Sequence, residues 1–239
     1  MDLLLDVGNT RLKWGLHDGA GWKGQGAVLL TALDGFADVL AGLGPIHRML
    51  GANVAGATVG GRLGAMLAAG QVESTWIRPQ AEGHGVVNRY LEPARLGADR
   101  WAALVGAHAL HAGGALVVTS GTATTADVLD AAGVFQGGVI LPGLDLMRLS
   151  LARDTAQLPY SDGRFVAAPR RTADAIVSGC LQAQLGAIER MFRLVGKEPS
   201  AVCFLNGGAA ATLAPHLECP VRVVDNLVLE GLVRMLAEA

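Results

Sequence analysis

Near its start the chain sets a carboxylate, a glycine and two hydrogen-bonding side chains in close succession, Asp6-Val7-Gly8-Asn9-Thr10, followed by Lys13. The apolar run Leu3-Leu4-Leu5 precedes them, so the pattern is a strand that ends in a turn. Glycine lets the backbone turn tightly enough for N–H groups to face an anion, and Asn9 and Thr10 add side-chain donors. A carboxylate at the strand end, Asp6, suits a magnesium ion held through water, and Lys13 suits phosphate charge. A plain hairpin turn would use the same residues, so this segment alone leaves both readings open.

A second strand, Leu116-Val117-Val118, runs into Thr119-Ser120-Gly121-Thr122-Ala123-Thr124-Thr125, which carries more hydroxyls than a hairpin needs. Two such loops facing each other would grip the two ends of a triphosphate tail. No Gly-x-x-x-x-Gly-Lys-Ser/Thr pattern is present, and Gly196-Lys197-Glu198 neither follows a strand nor precedes a hydroxyl, so this is not a P-loop protein. A third glycine site, Leu205-Asn206-Gly207-Gly208, could lie under a nucleotide base or serve as a strand-to-helix turn.

The elements around these loops repeat. Residues 3–24 lay onto 116–137 with Gly8 on Gly121, Leu16 on Leu129, Trp22 on Phe135 and Gly24 on Gly137, which points to a domain duplication. Helical spacing predicts helices over 31–44, 60–69, 97–111, 144–153, 172–195 and 227–238, and strands over 48–54, 75–77, 201–205 and 221–224. In the helix over 97–111, Trp101, Leu104, Val105 and His108 form one apolar stripe. Each half thus reads as three strands followed by alternating helix and strand, with the boundary near Ala112: an N-terminal domain over 1–112 and a C-terminal domain over 113–239.

Composition narrows the function classes. Of 239 residues, 51% are hydrophobic and 17% charged, which describes a globular chain with ample core material. A net charge of −2 gives no basic stripe for nucleic acid or for an anionic membrane. No apolar run reaches the roughly 18 residues of a membrane span, and the acidic start Met1-Asp2 does not fit a signal peptide, so a cytoplasmic location is expected. Cys180, Cys203 and Cys219 show no Cys-x-x-Cys spacing and read as buried thiols. His108 and His111 lack a third metal ligand close in sequence.

Four motifs together resemble the type III pantothenate kinases of the actin, Hsp70 and sugar-kinase (ASKHA) superfamily. They are Asp6-Val7-Gly8-Asn9-Thr10 with Lys13; Asn88-Arg89-Tyr90 followed by Pro93 and Leu96-Gly97-Ala98-Asp99-Arg100-Trp101; Gly121-Thr122-Ala123-Thr124-Thr125 with Asp127; and Gly137-Gly138-Val139-Ile140-Leu141-Pro142-Gly143. The resemblance implies an α/β fold of duplicated ribonuclease H-like domains, each a mixed sheet flanked by helices, with an interdomain cleft. It implies phosphorylation of pantothenate by ATP, the entry step to coenzyme A, with Asp99 as proton acceptor. By the same resemblance Asp6, Val7, Gly8, Asn9, Thr10, Arg11 and Lys13 would bind ATP phosphates, with magnesium at Asp6. Gly121 and Thr122 would contact the nucleotide from the second domain, and Tyr90, Gly97, Ala98, Asp99, Arg100 and Thr172 would line the pantothenate pocket. A homodimer is implied as well.

Taken from position alone, Asp99 beside Arg100 at a helix start fits an exposed, ionised base, and equally a dipole-stabilised aspartate. Where the family holds a monovalent cation, potassium or ammonium, with an aspartate, this chain has Thr119, whose neutral oxygen should bind such a cation weakly. That departure keeps two alternatives in view: a regulatory protein that holds ATP without turning it over, like the family's accessory factors for virulence-gene expression, and a kinase of another small alcohol.

Overall fold

The computed structural model describes residues 1–160 and 162–238. The chain divides into two compact units, Met1–Leu110 with Asn226–Ala239, and His111–Asp225.

In the first unit β1 (Asp2–Val7), β2 (Arg11–His17) and β3 (Trp22–Leu29) form an antiparallel meander. After α1 (Phe36–Gly42) come β4 (Arg48–Asn53), α2 (Ala57–Ala69) and β5 (Glu73–Trp76), with β4 parallel to β1 and β5 parallel to β4. The five-stranded sheet has the order β3-β2-β1-β4-β5. Leu3, Leu4 and Leu5 are all 0% exposed, because a central strand covered on both faces needs a continuous apolar run. On one face Leu3, Leu5 and Val7 pack with Phe36 of α1 and Leu63 and Leu67 of α2.

The segment leading away from this sheet carries a feature the sequence reading lacked. A short hairpin, β6 (Glu82–Gly83) and β7 (Val86–Asn88), turns on His84 and Gly85, whose φ values of 55° and 78° fit a two-residue turn with both central residues left-handed. Strands this short leave no periodicity to detect. Helix α3 (Ala98–Leu110) follows. The expected stripe on α3 is too narrow: apart from Asp99, every residue from Ala98 to Ala107 is buried, because the chain's last helix, Leu227–Ala237, packs along it while β4 lies beside it. A helix can be buried this fully only where its surface is small, hence the many alanines and Gly106.

The second unit repeats the plan with β8 (Ala115–Ser120), β9 (Ala123–Leu129), β10 (Val134–Pro142), α4 (Leu144–Asp154), α5 (Thr172–Phe192), β11 (Val202–Asn206), α6 (Ala210–Leu213) and β12 (Val221–Val223). Its strands run β12-β11-β8-β9-β10, with β9 antiparallel and β11 parallel to the central β8. The order matches that of the first sheet, and β1 and β8 each stop one residue short of their loop glycines, Gly8 and Gly121. Leu116, Val118, Ala126 and Val128 meet Leu181, Leu185 and Ile188 of α5 in the core. Cys180 and Cys203 are buried and Cys219 half-buried, all three as free thiols. Among the described residues no helix is long and apolar enough to cross a membrane.

The final helix, α7 (Leu227–Ala237), read from sequence as part of the second domain, clusters instead with the first unit. Its buried Leu229 and Leu232 mark an apolar face, but an apolar face does not name its partner. What selects α3 is close backbone approach: a Cβ at Gly106 would lie 2.5 Å from the Leu227 carbonyl oxygen, and one at Gly231 would collide with the carbonyl of Ala102. Gly231→Ala should therefore force the two helices apart and destabilise the protein by about 2 kcal/mol or more, read as a lowered denaturation midpoint. An unchanged midpoint would contradict this packing.

Candidate functional site

Asp6 sits one residue before the end of β1, directly across from Lys13 on β2 and beside Ala52 on β4. The residue is half-buried, and burial pushes its carboxyl up to about 6. The charge of Asp99 adds to that rise, while Lys13 opposes it. Two carboxylates distant in sequence are therefore close enough in the first unit to feel each other.

Asp99 reaches that position from the first turn of α3. The expectation of an exposed base is corrected here: desolvation raises its carboxyl above the ordinary aspartate range, against the lowering pull of the Arg100 N–H and guanidinium. Asp99 Oδ1 accepts a hydrogen bond from the Arg100 N–H at 2.8 Å. Gly97 makes room for this rotamer, since a Cβ there would lie 2.5 Å from the same oxygen. Arg100 is only 5% exposed, not solvated, and its guanidinium lies 5.7 Å from the centre of the Tyr90 ring. A cation held over an aromatic face inside a half-buried site is well suited to an anionic ligand.

The loop Gly8-Asn9-Thr10 is built differently from the sequence expectation. The Gly8 N–H does not point outward; it donates to the Arg11 carbonyl at 3.0 Å, and in the second unit the Gly121 N–H donates to the Ala123 carbonyl at 3.0 Å. A Cβ at Gly8 would meet the Arg11 carbonyl at 3.5 Å and one at Gly121 the Ala123 carbonyl at 3.9 Å, ordinary contacts in both cases. Neither turn requires glycine for its own packing. Asn9, Thr10 and Arg11 are exposed, whereas Val7 is a core residue whose carbonyl accepts the Val54 N–H at 3.0 Å.

Gly121, Thr122 and Thr172 belong to the second unit. Thr122 is exposed in the β8–β9 turn, and its carbonyl accepts the Gly143 N–H at 2.9 Å. Gly143 has no room for a side chain, because a Cβ there would lie 2.7 Å from the Thr122 carbonyl oxygen. Ser120 and Thr124, both 0% exposed, share a hydroxyl hydrogen bond of 2.9 Å, so these two hydroxyls brace the turn. Asn206, 2% exposed, donates through Nδ2 to the Val118 carbonyl at 2.9 Å and to Thr119 Oγ1 at 3.0 Å. Gly207, with φ of 96°, packs against the Ser120 backbone. The third glycine site is therefore the underside of the second loop. Thr172 is the exposed first residue of α5, with Arg171 in the capping position.

Gly143 and Asn206 shape the second loop although their residue types announced no role. Their only signal was position, in a motif or beside a glycine pair at a strand end. Among the described residues no three His, Cys, Asp or Glu side chains converge as a metal cluster, and His111 instead lies 2.7 Å from the Ser200 carbonyl. A lone carboxylate beside phosphate oxygens and water is a donor set that fits magnesium, which keeps much of its hydration.

Residues 2–194 match the family model for type III pantothenate kinase. A type III pantothenate kinase of Aromatoleum aromaticum is 54% identical over 97% of this chain and 96% of its own. Among solved structures, a Campylobacter jejuni protein described as a Baf family transcriptional activator superposes with a TM-score of 0.65 at 20% identity, over 99% of this chain and 98% of that one. A Sinorhizobium meliloti protein described as a 2-dehydro-3-deoxygalactonokinase gives a TM-score of 0.60 at 16% identity, over 100% and 98%. These structural likenesses concern the fold alone, two α/β units each built on a mixed sheet flanked by helices.

Folding raises the Asp6 pKa from 3.8 to about 6, so the folded chain holds that proton more tightly and stability falls as pH rises through this window. Asp6→Asn should raise the unfolding free energy of the ligand-free protein at neutral pH and flatten its pH dependence between 3.8 and about 6. Denaturant melts at acidic and neutral pH check this; equal pH dependence of the two proteins would contradict it.

Proposed function

The chain belongs to the type III pantothenate kinase family, and from that premise we infer that it transfers the γ-phosphoryl group of ATP to the primary hydroxyl of pantothenate, forming 4′-phosphopantothenate, the first step of coenzyme A biosynthesis. The observation that carries this reading is the electrostatic proximity of Asp6 and Asp99 within one unit, with Lys13 and Arg100 as counter-charges. Phosphoryl transfer asks a protein chiefly to position reactants and manage charge, and it needs a carboxylate to accept the hydroxyl proton.

In this reading Asp99 accepts that proton. Its raised pKa makes it a stronger acceptor than a surface aspartate. Tyr90, Gly97, Ala98, Arg100 and Thr172 line the pantothenate site, with Arg100 opposite the substrate carboxylate. Asp6, Val7, Gly8, Asn9, Thr10, Arg11 and Lys13 form the phosphate loop, and Gly121 and Thr122 touch the nucleotide. Asp6 would hold magnesium, which when bound offsets charge on the phosphoryl oxygens. Thr119 contributes no charge, and its hydroxyl oxygen already accepts an N–H from Asn206, which supports catalysis without a bound monovalent cation. The exposed Ile140, Leu146 and Leu149 support a homodimer, and a cytoplasmic location suits a coenzyme A pathway enzyme.

Purified protein given ATP, magnesium and pantothenate should release ADP in a coupled assay; silence with or without potassium would defeat the kinase reading. Asp99→Asn should lower kcat by about 10²–10⁴-fold without lowering the melting temperature. Replacing potassium by sodium should change the rate by less than about twofold.

A further inference from the structure

Tyr90 lies in a loop most of whose residues face solvent. Arg89, Leu91, Glu92, Ala94 and Arg95 are exposed, Leu91 completely so at 102%, and Tyr90 and Pro93 are only half-buried. Where a loop lacks burial, its conformation must come from hydrogen bonds. At its base stands Asn88, 5% exposed at the end of β7.

The Asn88 carboxamide uses both of its functions. Nδ2 donates to the Gln80 carbonyl at 3.1 Å and to the Pro93 carbonyl at 3.2 Å, and Oδ1 accepts the Tyr90 N–H at 3.0 Å. The Asn88 backbone N–H adds a bond to the Ala81 carbonyl at 2.8 Å. One side chain thus ties the irregular segment before the hairpin to both ends of the Tyr90 loop. From Pro93 a 3-10 turn, Pro93–Arg95, runs to Leu96 and Gly97, where the Asp99 helix begins. Asparagine suits the place because it offers two donors and an acceptor on a short stem; aspartate keeps the shape and loses the donors, and serine has a single proton to give.

We propose that Asn88 is a positioning residue for the alcohol substrate: it sets the Tyr90 backbone and the Pro93 turn so that the Tyr90 ring, Arg100 and residues 97–99 present one preformed surface to that substrate. The proposal rests on the reading of Tyr90 and residues 97–100 as the pantothenate pocket. Loss of Asn88 frees a loop and leaves the sheets and α3 intact, so the effect falls on substrate affinity rather than on the fold. The Asn88 partners Gln80, Ala81, Tyr90 and Pro93 all lie outside the nucleotide loop, residues 6–13, which is left undisturbed.

Steady-state kinetics of Asn88→Asp and Asn88→Ala test this. For both variants the KM for pantothenate should rise roughly ten- to a hundredfold, and the KM for ATP should stay within about twofold of the parent's. Combining Asn88→Ala with Tyr90→Ala should raise the pantothenate KM by less than the product of the two single effects, because both act on one surface. An unchanged pantothenate KM, or equal rises in both KM values, would overturn the proposal while the kinase reading stands. A parent protein inactive toward pantothenate would instead overturn the kinase reading, and the proposal with it. Should neither variant fold, amide hydrogen exchange of the parent decides: the Tyr90 N–H should exchange slowly despite its loop position and more slowly with pantothenate, and rapid exchange would overturn the proposal.

Discussion

Two carboxylates, Asp6 and Asp99, share a region of restricted solvation, and most of the first unit can be understood as the apparatus that keeps them there. Like charges drawn out of water repel and raise each other's proton affinity, as they do at Asp6. The arrangement survives because Lys13 faces Asp6 across the β1–β2 pair and Arg100 follows Asp99 at the start of α3. The backbone is committed to it as well. β1 is buried on both faces, α3 is buried along most of its length, and Gly97 is kept small so that the Asp99 carboxylate can fold back onto the helix start. Such an arrangement destabilises the empty protein and favours an incoming cation or proton.

The two sheets have one strand order, yet their loops are chemically unlike. The first loop has Asp6 beneath it and Lys13 opposite. In the second, Thr119 stands where the duplication would place Asp6, and its hydroxyl is engaged by Asn206. Ser120 and Thr124 satisfy each other, while Gly143 and Gly207 press against the turn from two sides. The second loop is thus stiffened by neutral contacts and supplies shape and hydroxyls.

Several supporting residues act at one remove. Gly97 positions Asp99 by its absence of a side chain, Gly143 and Asn206 hold the Thr122 turn, and Asn88 holds the loop of Tyr90. Gly143, Asn206 and Asn88 have backbone groups among their partners, so their effects pass through the course of the chain, whereas Gly97 acts directly on the Asp99 carboxylate.

How much of this was legible beforehand depends on the range of the interaction. Leu3-Leu4-Leu5 announced a buried central strand, the helix over 98–110 followed from local spacing, and the likeness of residues 3–24 to 116–137 announced two sheets of one plan, because each depends on neighbours in sequence. Asp6, Asp99 and Arg100 were singled out by their motifs, and the structure adds that Asp6 and Asp99 lie near each other in one unit. Tertiary structure alone decided that α7 joins the first unit, since an amphipathic helix states that it needs a partner without saying which, and the Gly106 and Gly231 contacts exist only once both helices are in place. The raised proton affinity of Asp6 was also beyond the sequence, because desolvation and the charge of a residue as distant in the chain as Asp99 are properties of assembled space and not of spacing.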